Sequence, residues 1–472
     1  MSRVQGRMTR LGAAAGALLA AFVAAWSIGA SAARGATATL VEDIKPGSAS
    51  SIGCCGFSTR ATETLYFNAD DGQHGYELWK SDGTAAGTEL VADAAPGTDG
   101  TFPDHLAVAG PLVFFEGADP THGFELWKSD GTPTGTTLVR DINTNPDSLS
   151  YEGDSYPKQL AGVGGMLFFT ADDGMHGRPL WRSDGTTAGT QLVKEIYPLR
   201  AFASYGGKAA FAAGDWADGH TVHGVELWTS DGTETGTRLV KDIYPGSPSS
   251  DPHRLTEFGG KLYFSASDPT HGGELWKSDG TPSGTKLVAD IRPGSTGSAP
   301  SSLFEHAGTL FFTARDRRHG EELWKTDGTE RGTKLVKDIN PGTEGSRPGG
   351  LRSVGRRLFF AADDGVHGTE IWKSDGTRAG TKLVEDIVPG TRSPYIGPLK
   401  GAGGVLFFVA HDRVHGGELW SSDGTEAGTN LVKDIYPGGT ESYPEHLTNL
   451  GGVLLFFARD PEHGNELWKA VP

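Results

Sequence analysis

"HGYELWKSDGTAAGTELVAD" spans His74–Asp93. It returns with few changes as "HGFELWKSDGTPTGTTLVRD" at His122–Asp141 and as "HGGELWKSDGTPSGTKLVAD" at His271–Asp290. A unit this short cannot bury its own apolar residues, so copies of it must stack. Its tryptophan recurs as Trp79, Trp127, Trp181, Trp228, Trp276, Trp324, Trp372, Trp420 and Trp468, at intervals of 48, 54, 47 and then five times 48 residues. Nine copies cover the chain from residue 37 onward.

In outline the unit reads GGxLFFxAxDxxHGxELWKSDGTxxGTxLVKDIxPG. Each copy resolves into four short strands. The first follows a "PxxL" start, as at Pro103–Leu106 and Pro444–Leu447. A Gly-Gly turn leads to a second, nearly continuous apolar run such as "KLYFSAS", which suits a strand buried on both faces. DxxHG turns the chain into "ELWK", and the Gly-rich SDGTxxGT connection leads to "LVKDI". No copy offers ten residues of helical periodicity. Four strands in ~40–50 residues, repeated, predict a β-propeller blade.

The ends of the repeat distinguish a ring from an open solenoid. A lone fourth strand, "TLVEDI" at Thr39–Ile44, opens it, and "ELWKAVP" closes it without a DGT hairpin. Together the two fragments make one blade, which closes the ring and removes its edges. The expectation is an all-β, single-ring propeller of about nine four-stranded blades. Their approximate bounds are 45–94, 95–142, 143–196, 197–243, 244–291, 292–339, 340–387, 388–435, and 436–472 plus 37–44.

"ELWKSDGT" followed by "GTxLVKDI" resembles the ELWxxDGT repeat family of secreted bacterial proteins, some labelled hyalin-like. The resemblance covers nearly all of residues 37–472. It implies a propeller outside the cell and no particular activity. The third copy departs from the pattern, with Arg178-Pro179 in place of x-Glu, and the first has Thr62-Glu63 in place of Gly-Gly.

Residues 1–36 read as a signal peptide: Arg3, Arg7 and Arg10, an apolar run Leu11–Ala30, then small residues offering cleavage after Ala32 or Ala38. The apolar run is also long enough for an uncleaved anchor. Removing the segment deletes four Arg and no acid and takes the net charge from −17 to −21. No membrane span is expected after cleavage, and the location is secreted or cell-surface. So acidic a chain does not suit nucleic acid, which needs clustered Lys and Arg. The only cysteines, Cys54 and Cys55, are adjacent and cannot supply a disulfide framework. A monomer is expected.

The acid of DxxHG and its His occur in all nine copies, and the Glu of "ELW" in eight. A catalytic constellation is needed once, so groups required by every blade are read as turn and packing devices: Asp accepting backbone N–H groups, His bridging strands, and Trp packing between blades with one N–H to satisfy. "ADDG" at Asp70-Asp71, Asp172-Asp173 and Asp363-Asp364 hints at calcium, but the EF-hand spacing and its closing Glu are missing, so no cofactor is expected. No nucleophile elbow, P-loop or HExxH motif is present, so no catalytic residue is assigned.

Function is expected where the copies stop matching. The long link Asn143–Tyr156 carries Tyr151 and Tyr156, and an insertion at Trp216–Val222 in the fourth copy carries Trp216, Asp218 and His220. Strand alternation puts both on one face, in neighbouring blades. Tyr151, Tyr156, Trp216 and His220 are therefore the candidate ligand site, with a glycan or an extracellular protein as partner. The reading is a binding or adhesion scaffold. The alternatives are an extracellular polysaccharide hydrolase or lyase, and a surface-layer component that binds its own copies. N-terminal sequencing of exported protein is expected to find a new terminus after Ala32 or Ala38, whereas Met1 retained on membrane-bound material would identify an anchor.

Overall fold

The computed structural model describes residues 35–53, 58–98, 100–144, 153–217 and 220–472; of residues 198, 216, 217, 220 and 221 it describes the backbone alone. The expected signal segment as far as residue 34, Cys54, Cys55, Tyr151 and Asp218 lie outside the described residues.

The chain is all-β, with nine four-stranded antiparallel sheets. Blade one runs in the order β2 (Ser58–Ala61), β3 (Thr64–Asp70), β4 (Tyr76–Ser81), β5 (Glu89–Ala92). The same order repeats through blade eight, β30 (Leu399–Ala402), β31 (Val405–Asp412), β32 (Gly416–Ser422), β33 (Thr429–Lys433). The ninth sheet is composite, ordered β1 (Thr37–Glu42), β36 (Gly464–Val471), β35 (Val453–Asp460), β34 (Glu445–Leu450). Thr37 pairs with Val471, Ala38 with Ala470 and Leu40 with Trp468, so the N-terminal strand is the outer strand of the last blade. It starts two residues before the expected Thr39. The first strand of each blade packs against that of the next, and β34 meets β2 to complete the ring.

The apolar core is divided among the seams between blades. Where the ring closes, Leu65, Phe67 and Trp79 of blade one pack with Leu450, Leu455, Phe457 and Leu467 of blade nine. Each second strand is buried on both faces, as its continuous apolar run requires; Phe67, Phe115, Phe264 and Phe360 are fully buried. Burying each such side chain contributes ~1.5–3 kcal/mol.

Trp departs from expectation. Eight of the nine repeat tryptophans, Trp127 to Trp468, have a buried Nε1 with no acceptor among the described residues. Several are instead capped by a cation from the preceding blade: Lys241, Lys337 and Lys433 lie 5.6, 5.0 and 4.7 Å from the ring centroids of Trp276, Trp372 and Trp468. The seam rewards the ring face over the N–H.

The SDGTxxGT connection is a hydrogen-bonded loop built from its own side chains. In eight copies the first hydroxyl, as in Ser81, bonds the last, as in Thr88, at 2.7–2.8 Å. Asp82 Oδ1 accepts from the Thr84 N–H and hydroxyl. Gly83 has φ +87°, and a Cβ on Gly87 would stand 2.2 Å from Asp82 Oδ1, so the two glycines are required for different reasons. The loop carbonyl then ties blades together: Lys80 donates to Gly131 O at 2.9 Å, and Lys469 donates to Gly83 O at 3.0 Å across the closure.

Deleting Thr37–Glu42 is expected to lower the melting temperature of the whole ring, because β36 becomes an open edge and the closing core loses Val41. An unchanged melting temperature would argue for an open array.

Candidate functional site

The repeated acids are structural. In all nine copies the Asp of DxxHG faces its His Nδ1 at 2.6–2.8 Å. In the first copy Asp71 also accepts the Gln73 and His74 N–H groups. The His thus closes its own turn, and the expected bridging between strands is not what the described contacts show. Among the described residues no group of three or more His, Cys, Asp or Glu is placed to hold a metal ion. Asp70 pairs with Lys45, and Asp172 and Asp363 accept the Gly174 and Gly365 N–H groups within their own turns.

The Glu of "ELW" is buried and reaches into the link to the next blade. Its carboxylate accepts a Ser or Thr hydroxyl at 2.5–2.6 Å in seven copies, from Glu77–Thr101 to Glu466–Ser51. Backbone N–H groups of the link add to the clamp, as Ile44 and Ser51 do on Glu466. Blade three carries Pro179 where the others have Glu, and its link is correspondingly short, running directly into β14 (Tyr197–Tyr205). In blade seven the Glu is present but its hydroxyl partner is not. Pro394 stands at the Ser position, and Glu370 Oε2 is buried without a partner.

Between the clamp position, a hydroxyl residue or Pro394, and the next first strand lies one residue with left-handed backbone: Phe102, Tyr156, Asp251, Ala299, Arg347, Tyr395 or Tyr443, with φ of 42–52°. In most copies a buried Pro follows. The conformation costs a residue with a Cβ ~1–2 kcal/mol, and Gly would adopt it freely. The surroundings enforce it: the N–H groups of Phe102, Tyr156 and Arg347 donate to the third strand of the preceding blade. Seven copies nonetheless carry a side chain here, and its identity changes from blade to blade. A strained position with a variable side chain is a place to look for binding.

Two of these residues frame a cleft of ≈ 550 Å³ between blades eight and nine, lined by Tyr395, Val409, His411, Glu441, Tyr443 and Glu445 among others. Tyr395 is 68 % and Tyr443 54 % exposed. Arg459 lies 4.6 Å from the Tyr443 ring centroid, and its Nε donates to Glu441 O, which fixes both. His411 meets Tyr395 edge-on at 5.6 Å and its Nε2 is 3.4 Å from Glu441 Oε2. A Cβ on Gly417 would approach His411 Nε2 to 2.6 Å, so the glycine makes room for the imidazole. The lining combines exposed aromatic rings with two carboxylates and an imidazole, and holds no Ser, Thr or Cys.

Of the expected site residues, Tyr156 is in the row just described, and its ring contacts Phe124, at 5.4 Å, and Arg178, at 5.7 Å. The insertion in blade four is an extension of the hairpin β15 (Lys208–Ala217) and β16 (His220–Ser230), with Trp216 paired to Thr221 and Ala217 to His220. Asp215 and His223 still pair at 2.7 Å at its base. The side chains of Trp216 and His220, and all of Tyr151, lie outside the described residues. Tyr395, Tyr443 and His411 are not among the residues expected from the sequence, although His411 departs from the repeat and stands where other copies have Asp70, Asp172 or Asp363.

No protein-family model matches the chain, and no curated protein does. Among solved structures, a puromycin hydrolase is similar at 15 % identity and a TM-score of 0.37, over 76 % of this chain and 59 % of that one. A prolyl endopeptidase is similar at 17 % identity and a TM-score of 0.40, over 67 % and 50 %. The β-propeller domain of the Trilobed protease from Pyrococcus furiosus is similar at 10 % identity and a TM-score of 0.36, over 70 % and 97 %. The chain spans between half and three fifths of the length of the two peptidases.

Burial raises the clamp carboxyls against the pull of their donors, to about 8 at Glu125 and Glu370 and about 7 at Glu226, Glu418 and Glu466. Between the ordinary glutamate range and these values the folded state binds more protons than the unfolded chain. Stability therefore falls as pH rises through that window. The melting temperature is expected to be higher near pH 5 than near pH 8. Pro394→Ser supplies Glu370 with its missing hydroxyl and is expected to add about 1 kcal/mol, the bond outweighing the lost proline rigidity; chemical denaturation measures it.

Proposed function

We propose that the protein is a secreted or cell-surface scaffold that binds a glycan in the cleft framed by Tyr395 and Tyr443. One observation carries this reading: two exposed tyrosines in left-handed backbone, a conformation that glycine adopts freely, line one cleft. Flat exposed rings suit the apolar face of a sugar, and Glu441, Glu445 and His411 can take its hydroxyls. The signal-like N-terminus and the likeness to ELWxxDGT repeat proteins support an extracellular setting. On this reading the long third link and the fourth-blade hairpin, with Tyr151, Tyr156, Trp216 and His220, form a secondary contact region on the same face.

A glycan array probed with the full chain identifies the sugar. Tyr395→Ala and Tyr443→Ala are each expected to weaken binding roughly three- to tenfold, the worth of one stacking contact, with little change in melting temperature, since alanine keeps the Cβ that strains the backbone. Binding untouched by both changes but lost with Trp216→Ala would move the site to blades three and four. Turnover of a bound polymer would establish the hydrolase or lyase alternative.

A further inference from the structure

The first strands line the middle of the ring, and one register position recurs in all nine. It is the residue paired with the second-strand Phe, Tyr, Leu or Ala: Thr59 with Tyr66, Thr256 with Tyr263, Phe304 with Phe311, Thr448 with Leu455. In blades two to four the position is Ala107, Ala161 and Ala203. Only two copies place a charge there, and they are neighbours. Arg352, on β26 (Gly349–Val354), pairs with Phe359, and Lys400 pairs with Phe407.

A cavity of ≈ 530 Å³ opens at this point, and Arg60 from blade one joins Arg352 and Lys400 in lining it, with Thr448 and Asn449 between them. No carboxylate is among its lining residues. Arg352 is braced by main-chain carbonyls, Nε on Leu399 O at 2.9 Å and Nη1 on Leu351 O at 2.7 Å. Arg60 is braced by Asn449 O at 2.7 Å and pairs with Glu63 outside the cavity lining. Lys400 has no hydrogen-bond or ion-pair partner among the described residues. Burial first, then Arg352 and Arg60, holds its ammonium below the ordinary lysine value.

Three cations converge here with Glu63 on Arg60 as their one counter-ion among the described residues, so Arg352 and Lys400 beside each other are unfavourable unless something compensates them. Guanidinium and ammonium groups recognise an oxyanion by charge-assisted hydrogen bonds and by point charge, and Arg352 Nη2 and the Lys400 ammonium have no other acceptor among the described residues. We infer that the channel contains an oxyanion site in which Lys400, Arg352 and Arg60 hold a phosphate, sulfate or carboxylate group. Thr448 and Asn449 lie within the same cavity as further polar contacts. The site is separate from the tyrosine cleft and stands without the glycan reading.

Titration calorimetry and thermal melting of the full chain test it, with phosphate, sulfate and glucuronate compared against chloride at equal ionic strength. At least one oxyanion is expected to bind and raise the melting temperature where chloride does not. Glucuronate binding tightest indicates an acidic sugar; phosphate or sulfate binding tightest indicates a free inorganic anion. Lys400→Met and Arg352→Gln are each expected to weaken that binding roughly tenfold or more. Without added anion, Lys400→Met is expected to melt no lower than the native chain, since it removes a half-buried charge that has no counter-ion among the described residues. If that variant does not fold, Arg352→Gln carries the test. Binding of none of the three anions beyond chloride, or unchanged affinity in the folded variants, overturns the inference.

Discussion

A buried glutamate carboxylate at the head of a third strand holds the chain where it leaves one blade for the next. The link it grips has no regular ladder of its own, so its N–H groups and its Ser hydroxyl would otherwise be left without partners in a buried seam. One carboxylate satisfies several donors at once, as Glu226 does for Ile243, Tyr244 and Ser250. The last such clamp, Glu466 on Ile44 and Ser51, spans the closure and acts with the β1–β36 ladder to join the two ends of the chain. Where the glutamate is absent, at Pro179, the link is short as well. Clamp and link are one device.

The same device explains the strained row on the link face. With the link held against the preceding third strand on one side and a first strand starting on the other, this residue is left-handed in seven copies, even where Pro394 replaces the clamping hydroxyl. The fold supplies the left-handed backbone regardless of which side chain stands there. Identity at that position is therefore free to serve a ligand: aromatic at Tyr395 and Tyr443, charged at Asp251 and Arg347, small at Ala299. The channel follows a parallel logic. Its inward register position is set by strand pairing, and Arg352 and Lys400 occupy it without disturbing any blade.

Seams between blades are held by apolar wedges and by cations laid on tryptophan rings. In eight copies the Trp N–H has no acceptor among the described residues, and four of these rings carry a cation from the preceding blade. The area of the ring and its attraction for the Lys or Arg of the preceding blade outweigh one unmade hydrogen bond. Lysines of "ELWK" such as Lys80 and Lys469, which bond the next blade's DGT carbonyl, add a second tie along the same seam.

By itself the sequence determined the class, the number of blades and the mode of closure. Those follow from the period of Trp79 to Trp468, from the apolar runs between turns, and from the lone strand at the start of the repeat. All are local or periodic properties that a chain cannot hide. It also showed that the repeated Asp, His and Glu serve architecture, because each blade needs its own set. The proposed binding surfaces come only from the tertiary structure. Tyr395 and Tyr443 are 48 residues apart and His411 lies between them, yet the ring brings the three into one cleft. Arg60 and Lys400 are 340 residues apart and meet only because the circle closes. Irregular length drew attention to Tyr156 and Trp216. The cleft and the channel arise instead at copies of regular length, from single side chains whose meeting depends on how neighbouring blades turn about the common axis.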